Sequence, residues 1–274
     1  MDLESVLGVL VLYKRSLRES ETFMSLSKAL VGTSRRLDLL VYDNSPESHF
    51  DKNVELGYSV NITYIHDSTN PGICKAYNTG FEKALAINKK WLLLLDQDTD
   101  ITFNYIESLL NAVEKDKNYA SIVPVIYSNS NIVSPTRHDF LGRMKAIEEV
   151  EVNRVVSNIT AINSGTCIST KFLKEINGFN TAFPLDMLDH WFNYMINTHN
   201  RNTFVINTKL MHKLSVADYN SISIDRYEKI IKSERDFALI KDNKLLFSFK
   251  LMLRIAKLLI NGNFLFAYKS IKFI

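Results

Sequence analysis

The chain has 274 residues, of which 46% are hydrophobic and 23% are charged, a composition typical of a folded protein with one large domain or one domain and an extension. Its net charge of +3 is too small to indicate a nucleic-acid-binding protein. The two cysteines, Cys74 and Cys167, form neither a metal-binding spacing nor a disulfide framework. The acidic start Met1-Asp2-Leu3-Glu4 is unlike a secretory signal, and no stretch reaches the roughly 20 apolar residues of a membrane span. We therefore expect a cytoplasmic protein.

Apolar runs and helical patterns alternate over roughly the first 126 residues. The predicted strands are Val6–Tyr13, Leu37–Tyr42, Ile62–Ile65, Trp91–Leu95 and Ala120–Ile126. The predicted helices between them are Ser20–Leu30, Tyr77–Ala86 and Phe103–Val113. This order is typical of an α/β fold whose parallel strands are joined by crossover helices.

Periodicity weakens between Ser128 and Asn158, where the chain is more polar. A strand is predicted at Ile159–Ile162, and a short helix at Lys171–Ile176 that ends at Asn177-Gly178. No repeat or low-complexity linker separates these segments from the first half. One domain is therefore favoured over two.

The strand at Trp91–Leu95 ends abruptly in carboxylates, at Asp96-Gln97-Asp98. Ligands of open α/β sheets bind beyond the carboxyl ends of the strands, and residues two apart in an extended segment point to the same side. Asp96 and Asp98 would suit a hard divalent cation that itself holds a diphosphate. The alternative interpretation is a polar loop that caps the next helix.

The other early strands also end at polar clusters, namely Tyr13-Lys14-Arg15, Asp43-Asn44 and Asn70-Pro71-Gly72. These ends share one edge of a parallel sheet and could line one nucleotide pocket. A carboxylate such as Asp43 accepts hydrogen bonds from a base or ribose, and glycine at position 72 lets the backbone approach a phosphate. Lys75 could supply positive charge. Loops at strand ends are often polar for structural reasons alone.

Together these motifs resemble glycosyltransferase family 2. The similarity rests on Val41-Tyr42-Asp43-Asn44-Ser45, on the run from Asn70 to Gly80, on Leu95-Asp96-Gln97-Asp98, and on the later Asn163-Ser164-Gly165-Thr166 and Ile176-Asn177-Gly178-Phe179. Within the family, the chain looks most like bacterial rhamnosyltransferases that build surface polysaccharides. The resemblance spans roughly residues 5 to 240. It implies the GT-A fold, in which a mostly parallel nucleotide-binding sheet, flanked by helices, is joined to an acceptor-binding half.

The resemblance also implies roles for individual residues. The nucleotide-sugar-binding residues would be Tyr13, Asp43, Asn70, Gly72, Lys75, Asp96 and Gln97. Asp98 and His212 would bind Mg²⁺ or Mn²⁺, although a histidine at a strand end is also a common polar terminus. The acceptor-binding residues would be Asn163, Ser164, Gly165, His190 and Trp191.

A catalytic base is expected within the segment from Pro184 to Trp191. The resemblance favours Asp189, with Asp186 as the alternative base. Both carboxylates could instead only stabilise the start of a helix. Further along the chain, Arg226 and Arg235 could close over the diphosphate or belong to a solvated helix face with internal ion pairs.

Residues 244–274 form a basic amphipathic extension with six lysines and arginines and no acidic residue. Asn261-Gly262-Asn263 predicts a break between two short helices. Cations mixed with large apolar residues suit a helix lying on an anionic membrane surface, or a helix pair packed on the catalytic domain or on a second subunit. The expected organisation is a catalytic domain at 1–240, with a nucleotide-sugar half at 1–126 and an acceptor half at 127–240, followed by the extension at 241–274.

The predicted function is that of an inverting glycosyltransferase acting from a nucleoside-diphosphate sugar, with dTDP-rhamnose or a UDP-sugar as donor. The acceptor would be a saccharide hydroxyl on a lipid-linked O-antigen or capsule intermediate, and the protein could be peripheral at the inner face of the plasma membrane. A homo-oligomer is possible, and no nucleic-acid partner is expected. The alternatives are a non-catalytic nucleotide-sugar-binding subunit and a sugar nucleotidyltransferase. The second is disfavoured because Tyr13-Lys14-Arg15-Ser16, which follows the first strand, contains no glycine to hold a triphosphate.

Overall fold

The computed structural model describes residues 3–50, 59–115, 118–128, 131–138, 144–148, 151–212 and 222–274. Its strands are β1 (Val6–Leu12), β2 (Leu37–Asp43), β3 (Val60–His66), β4 (Trp91–Leu95), β5 (Thr99–Asp100), β6 (Ser121–Ser128), β7 (Asn131–Ser134), β8 (Thr136–His138), β9 (Met144–Ala146), β10 (Arg154–Val156), β11 (Cys167–Ser169) and β12 (Thr203–His212). Its helices are α1 (Glu21–Leu30), α2 (Ile73–Ala86), α3 (Phe103–Lys115), α4 (Thr170–Glu175), α5 (Leu188–Thr198), α6 (Ile224–Ile240), α7 (Lys244–Ile260) and α8 (Phe264–Ile271).

Most strands belong to one central sheet with the order β10-β12-β6-β11-β4-β1-β2-β3. The neighbours β3, β2, β1 and β4 are parallel, as are β6 and β12. β11 lies between β4 and β6 and runs antiparallel to both. The carboxyl ends of β1, β2 and β4 therefore open onto the same edge, as the strand–helix order predicts.

The sheet forms because its central strands are continuous apolar runs, buried along their whole length in β1 and β4, as expected for parallel strands covered on both faces. On one face, Phe23 and Leu26 of α1 and Leu109 of α3 pack against the sheet. On the other face, Tyr77 of α2 and Phe192 of α5 belong to a second core cluster. The predicted α/β fold with a mostly parallel sheet and flanking helices is confirmed.

The strand predicted at Ile159–Ile162 is wrong. In this segment only Thr160 makes a β-bridge, an isolated one to Thr136. Ile159 and Ala161 are buried in a small hydrophobic cluster that is separate from the two main ones. The strand of this region is instead β11, a few residues later. Helix α2 also begins at Ile73, earlier than the predicted Tyr77, because Gly72 ends the loop and serves as its N-cap residue.

The C-terminal helices pack on one another around a small cluster of their own. Tyr227 and Ile231 of α6 meet Leu251 and Leu258 of α7 and Ala267 of α8. The predicted break lies between α7 and α8, where Gly262 has a φ of +76°. Within the described ranges, no helix combines the length and apolar character that crossing a membrane requires.

Candidate active site

The carboxylate of Asp96, directly after β4, is held by residues from both halves of the chain. The Tyr77 hydroxyl of α2 donates to Asp96 Oδ1 at 3.2 Å, and the Ser164 hydroxyl donates to Asp96 Oδ2 at 2.6 Å. Ser164 Oγ is also 2.9 Å from Thr99 Oγ1. Ser164 is fully buried, so the predicted acceptor-binding motif contacts Asp96 through this residue. Asp96 is thereby fixed at the sheet edge.

Tyr77 is a fully buried phenol that is hydrogen-bonded to Asp96. Its pKa is raised well above the usual value by burial, and then by the nearby carboxylates of Asp96 and Asp189. The phenol therefore remains a hydrogen-bond donor at neutral pH. Both carboxylates favour the neutral phenol, and Asp96 is the one hydrogen-bonded to it. Tyr77 was not among the predicted site residues, because an aromatic residue in a helical pattern is normally predicted to pack in the hydrophobic core.

Asp98 is half-buried two residues beyond Asp96. The following strand β5 pairs with β12, and the backbone of His212 lies opposite Thr99 in that register. The two predicted metal ligands are therefore in neighbouring backbone positions, although the side chain of His212 lies outside the described residues. Among the side chains that the structure describes, no three His, Cys, Asp or Glu residues are grouped as a metal site requires. Carboxylate and imidazole are ligand types that Mn²⁺ accepts, and binding of a metal ion by Asp98 and His212 stays a prediction.

The ends of β1 and β4 are joined through Gln97. Its side-chain oxygen accepts a hydrogen bond from the Tyr13 backbone N–H at 2.9 Å, and the Tyr13 ring is partly exposed. The Lys14 ammonium lies 5.1 Å from the centroid of that ring. Tyr13 and Gln97 therefore lie together at the edge where the sequence predicts the nucleotide.

Asp43, at the end of β2, is fully buried. Its carboxylate accepts hydrogen bonds from the Ser45 backbone N–H at 2.9 Å and from the Tyr64 hydroxyl at 2.5 Å. Burial opposes ionisation of Asp43, but these hydrogen bonds hold its pKa below the usual value. Burial and the bond to Asp43 raise the pKa of Tyr64 to about 12. Asp43 is therefore an ionised acceptor supported by a neutral phenol.

Two neighbours of Asp43 extend this corner beyond the predicted residues. The rings of Phe50 and Tyr64 are 4.4 Å apart, and Phe50 is partly exposed. The buried side-chain oxygen of Asn44 has no hydrogen-bond partner among the described residues. An aromatic face beside an unsatisfied acceptor suits a heterocyclic base that carries an N–H group. The sequence predicts that Tyr64 lies in a strand, but it does not identify Asp43 as the hydrogen-bond partner of Tyr64.

The loop before α2 touches the loop before α5. A Cβ atom at Gly72, whose φ is +94°, would lie 2.2 Å from the Pro184 carbonyl oxygen. That oxygen accepts a hydrogen bond from the Cys74 backbone N–H at 3.1 Å. Asn70 has a φ of +48°, and Lys75 is exposed on the first turn of α2. Glycine is required here by backbone contact between the two halves, in addition to any approach of a phosphate.

The two candidate bases have different surroundings. Asp189 lies half-buried in the first turn of α5, where its Oδ1 accepts a hydrogen bond from the His190 backbone N–H at 2.8 Å. Asp186 faces Arg226, whose guanidinium binds both carboxylate oxygens, with Nη2 at 2.6 Å from Oδ1. Because this bidentate pair engages both oxygens of Asp186, the geometry favours Asp189 for proton transfer. Arg226 therefore joins α6 to the start of α5.

The remaining predicted acceptor residues differ in accessibility. Asn163 is buried, and Gly165 donates its N–H to the Leu94 carbonyl at 2.9 Å. Trp191 is 5% exposed within the hydrophobic core, so its indole packs beneath the site. His190 is half-buried and faces Phe237, with 6.0 Å between ring centroids. His190 lines a cavity of about 580 Å³ between α5, α6 and α7.

The molecule is an α/β protein whose mostly parallel sheet carries aspartates at the carboxyl ends of its strands, where ligands of such sheets bind. The sequence profile described as Glycosyl transferase family 2 matches residues 15–175. This match covers more than half of the chain, which therefore belongs to glycosyltransferase family 2. The GT-A fold implied by the motifs is confirmed.

Solved structures support the same fold. The crystal structure of S. aureus TarS 1-349 is similar with a TM-score of 0.54 and 14% identity, over 85% of this chain and 64% of that one. The crystal structure of S. aureus TarS gives a TM-score of 0.51 and 15% identity, over 87% and 43%. The chain thus spans less than two thirds of either structure. A search of curated proteins gave no match.

Proposed function

We propose that the protein is an inverting glycosyltransferase that moves a sugar from a nucleoside-diphosphate donor to a saccharide hydroxyl. One observation carries this proposal. Asp96 accepts hydrogen bonds from Tyr77 of α2 and from Ser164 of the second half of the chain, so the carboxylate expected beside the sugar lies where the expected donor and acceptor halves meet. Family membership supports the same reaction class.

The donor would lie along the sheet edge, with its base at the Asp43 corner. Phe50 and Tyr64 offer an aromatic face, and Asn44 offers an acceptor for a base N–H. The imino N–H of uracil or thymine suits that acceptor, which supports a UDP-sugar or dTDP-rhamnose as donor. Lys75 would place positive charge near the diphosphate.

Asp98 and His212 would hold Mg²⁺ or Mn²⁺, which neutralises the leaving diphosphate when it is bound. Tyr77 and Ser164 orient Asp96 beside the sugar, at 3.2 Å and 2.6 Å. Pre-positioned groups of this kind lower the barrier without reorganising during the reaction.

Asp189 would take the proton from the acceptor hydroxyl as its oxygen attacks the anomeric carbon. The new glycosidic bond forms on the face opposite the breaking bond to the diphosphate, and the diphosphate leaves with the bonding electrons. A single displacement inverts the anomeric configuration. No covalent sugar intermediate is needed, in contrast to retaining glycosidases.

The extension is consistent with an acceptor held at a membrane, such as a lipid-linked O-antigen or capsule intermediate. Twelve large hydrophobic side chains of residues 244–274 are exposed, and the same segment carries six cations and no carboxylate. Such a surface suits peripheral contact with an anionic membrane. We propose this contact at the inner face of the plasma membrane; a homo-oligomer through the same helices is the competing arrangement.

The function is tested by incubating the purified chain with Mn²⁺ and a panel of nucleotide sugars while nucleoside-diphosphate release is measured. We expect release from one donor, with loss of release after EDTA and in the Asp98→Ala variant. Calorimetric nucleotide binding supplies the control, because a folded Asp98→Ala protein should still bind the nucleoside. Release that is insensitive to both EDTA and Asp98→Ala would contradict the proposed metal role.

A further inference from the structure

A second, smaller cavity of about 200 Å³ lies along helix α5, beside the proposed base. Its walls are the segment 158–160, one face of α5 and the C-terminal end of α6. The residues of α5 that line it are His190, Tyr194 and Asn197, which helical geometry places on one side over about two turns. His190 directly follows Asp189 in the chain, so the cavity begins next to the carboxylate that we propose to activate the acceptor.

The cavity contains hydrogen-bond donors that have no partner within the described parts of the chain. The side-chain oxygen of Asn197 accepts a hydrogen bond from the Asn158 backbone N–H at 3.1 Å, which fixes this amide and leaves its N–H groups unused. The Thr160 backbone pairs with that of Thr136 through two hydrogen bonds of 2.8 Å, which leaves the Thr160 hydroxyl unused. Pre-positioned amide and hydroxyl groups beside the aromatic ring of Tyr194 suit the hydroxyls and apolar face of a single sugar ring.

Lys241 places a positive charge in the cavity. Its ammonium lies 5.5 Å from the centroid of the Phe237 ring and 5.9 Å from that of the Tyr194 ring, so aromatic rings hold it in position. None of the lining residues that the structure describes is a carboxylate, and Asp242, the next residue in the chain, is exposed and does not line the cavity. The ammonium therefore offers a charge-assisted hydrogen bond to an anionic ligand.

The larger cavity between α5, α6 and α7 also contains Lys241, together with the carboxylate of Glu234. Glu234 forms an ion pair with Arg254, with 2.9 Å between Nη1 and Oε2. Because this pair satisfies the carboxylate of Glu234, the charge of Lys241 remains for a ligand of the smaller cavity.

The kind of anion follows from the presence of this one ammonium. A carboxylate carries a single negative charge, which Lys241 matches. A phosphate monoester carries about −1.5 to −2 charges at neutral pH and would retain an excess of negative charge in the cavity. A neutral sugar would use the donors of Thr160 and Asn197 but leave Lys241 without a role.

We propose that this cavity binds an acidic sugar of the acceptor, such as a uronic acid, with its carboxylate on Lys241 and its ring hydroxyls on Thr160 and Asn197. A sugar held along α5 in this way positions the acceptor so that its reacting hydroxyl meets Asp189. This inference rests on the proposed function, and it narrows the acceptor to a saccharide that contains a carboxylate-bearing residue.

The test compares methyl β-D-glucuronide with methyl β-D-glucoside, which differ only in the carboxylate or hydroxymethyl group at C6. Dissociation constants are measured by ligand-observed NMR with the full chain. We expect the glucuronide to bind at least about tenfold more tightly, the factor expected from one charge-assisted hydrogen bond. Equal affinity of the wild-type protein for the two sugars would overturn the proposal.

Lys241→Gln should abolish this preference, because it weakens binding of the glucuronide and leaves binding of the glucoside unchanged. Lys232→Gln is the matched control and should keep the preference, because this exposed lysine of α6 lines neither cavity. Thermal unfolding checks that all variants fold. A preference that persists in Lys241→Gln, or one that is lost in Lys232→Gln, would overturn the proposal.

Two further comparisons locate the sugar and identify its anion. Thr160→Val should weaken binding of both sugars by about threefold or more, as expected for the loss of one neutral hydrogen bond; unchanged binding of both would overturn the placement of the ring. Glucose 6-phosphate should bind no more tightly than the glucuronide, and tighter binding would overturn the choice of a carboxylate. Failure of the proposed function would show separately, as absent nucleoside-diphosphate release together with an intact preference for the glucuronide.

Discussion

Asp189 and Asp186 lie three residues apart but have different partners, and this difference leads to the first prediction. Asp189→Asn should lower glycosyl transfer by about 10²- to 10⁴-fold, the range for loss of a general base, and leave nucleotide binding unchanged. Asp186→Asn breaks the pair with Arg226 and should lower thermal stability more than it lowers the rate. Steady-state kinetics and thermal unfolding of both variants check this. The reverse pattern would identify Asp186 as the base.

The Asp43 carboxylate makes stability depend on pH. Its pKa is lowered in the folded state, where hydrogen bonds from Ser45 and Tyr64 outweigh the effect of burial. The resulting stabilisation is complete above the unfolded-state pKa of about 3.9 and is lost as the pH falls through the lower folded value. We expect the difference in unfolding free energy between wild type and Asp43→Asn to shrink below about pH 4. Denaturant titrations across this window measure it, and a pH-independent difference would refute the assignment.

At the scale of elements, the contact between the loops before α2 and α5 joins the two halves of the chain that we propose to bind donor and acceptor. Gly72→Ala should lower both the melting temperature and nucleotide affinity, because a Cβ there meets the Pro184 carbonyl. Gly32→Ala is the matched control: its φ is +76°, but nothing lies within 4 Å of the added Cβ. Both variants carry a backbone cost because φ is positive, and this cost is larger at Gly72, whose ψ of 177° lies in a region that essentially only glycine adopts. Equal effects of the two changes would show that the contact with Pro184 is unimportant.

The elements recovered best from the sequence are those with long, regular patterns. The leucine run of β4 has the predicted bounds, and the helix predicted at Ser20–Leu30 is observed with Ser20 as its N-cap residue. β11 was missed because three residues are too few to show a period. The motif Asn163-Ser164-Gly165 was recognised, but its contact with Asp96 arises from strand order in space. The roles of Tyr77 and Tyr64 likewise depend on partners distant in the chain, which a local pattern does not contain.

At the scale of the whole molecule, the proposed membrane contact would use the outer face of α7 and α8, where large hydrophobic side chains are exposed. The chain should sediment with vesicles of phosphatidylcholine and phosphatidylglycerol, and less so at high salt. Leu259→Ser/Ile260→Ser should reduce this partition by at least about tenfold, given the apolar area removed. Val31→Ser, at an exposed residue outside the extension, is the control. Unchanged sedimentation of the double variant would point instead to a protein partner for these helices.

The position of β11 in the sheet also affects how the chain folds during translation. β4 and β6 are not neighbours, and the strand that joins them comes from residues 167–169. During translation, one edge of the all-apolar strand β4 therefore stays unpaired while more than seventy further residues are added. An exposed apolar strand edge of this kind is prone to misassembly. Ribosome-bound chains stalled before β11 emerges should be cut readily by protease, and chains stalled well beyond it should resist. The parallel strands β1 to β4 are encoded first, but they are joined to β6 only by a strand from the second half of the chain.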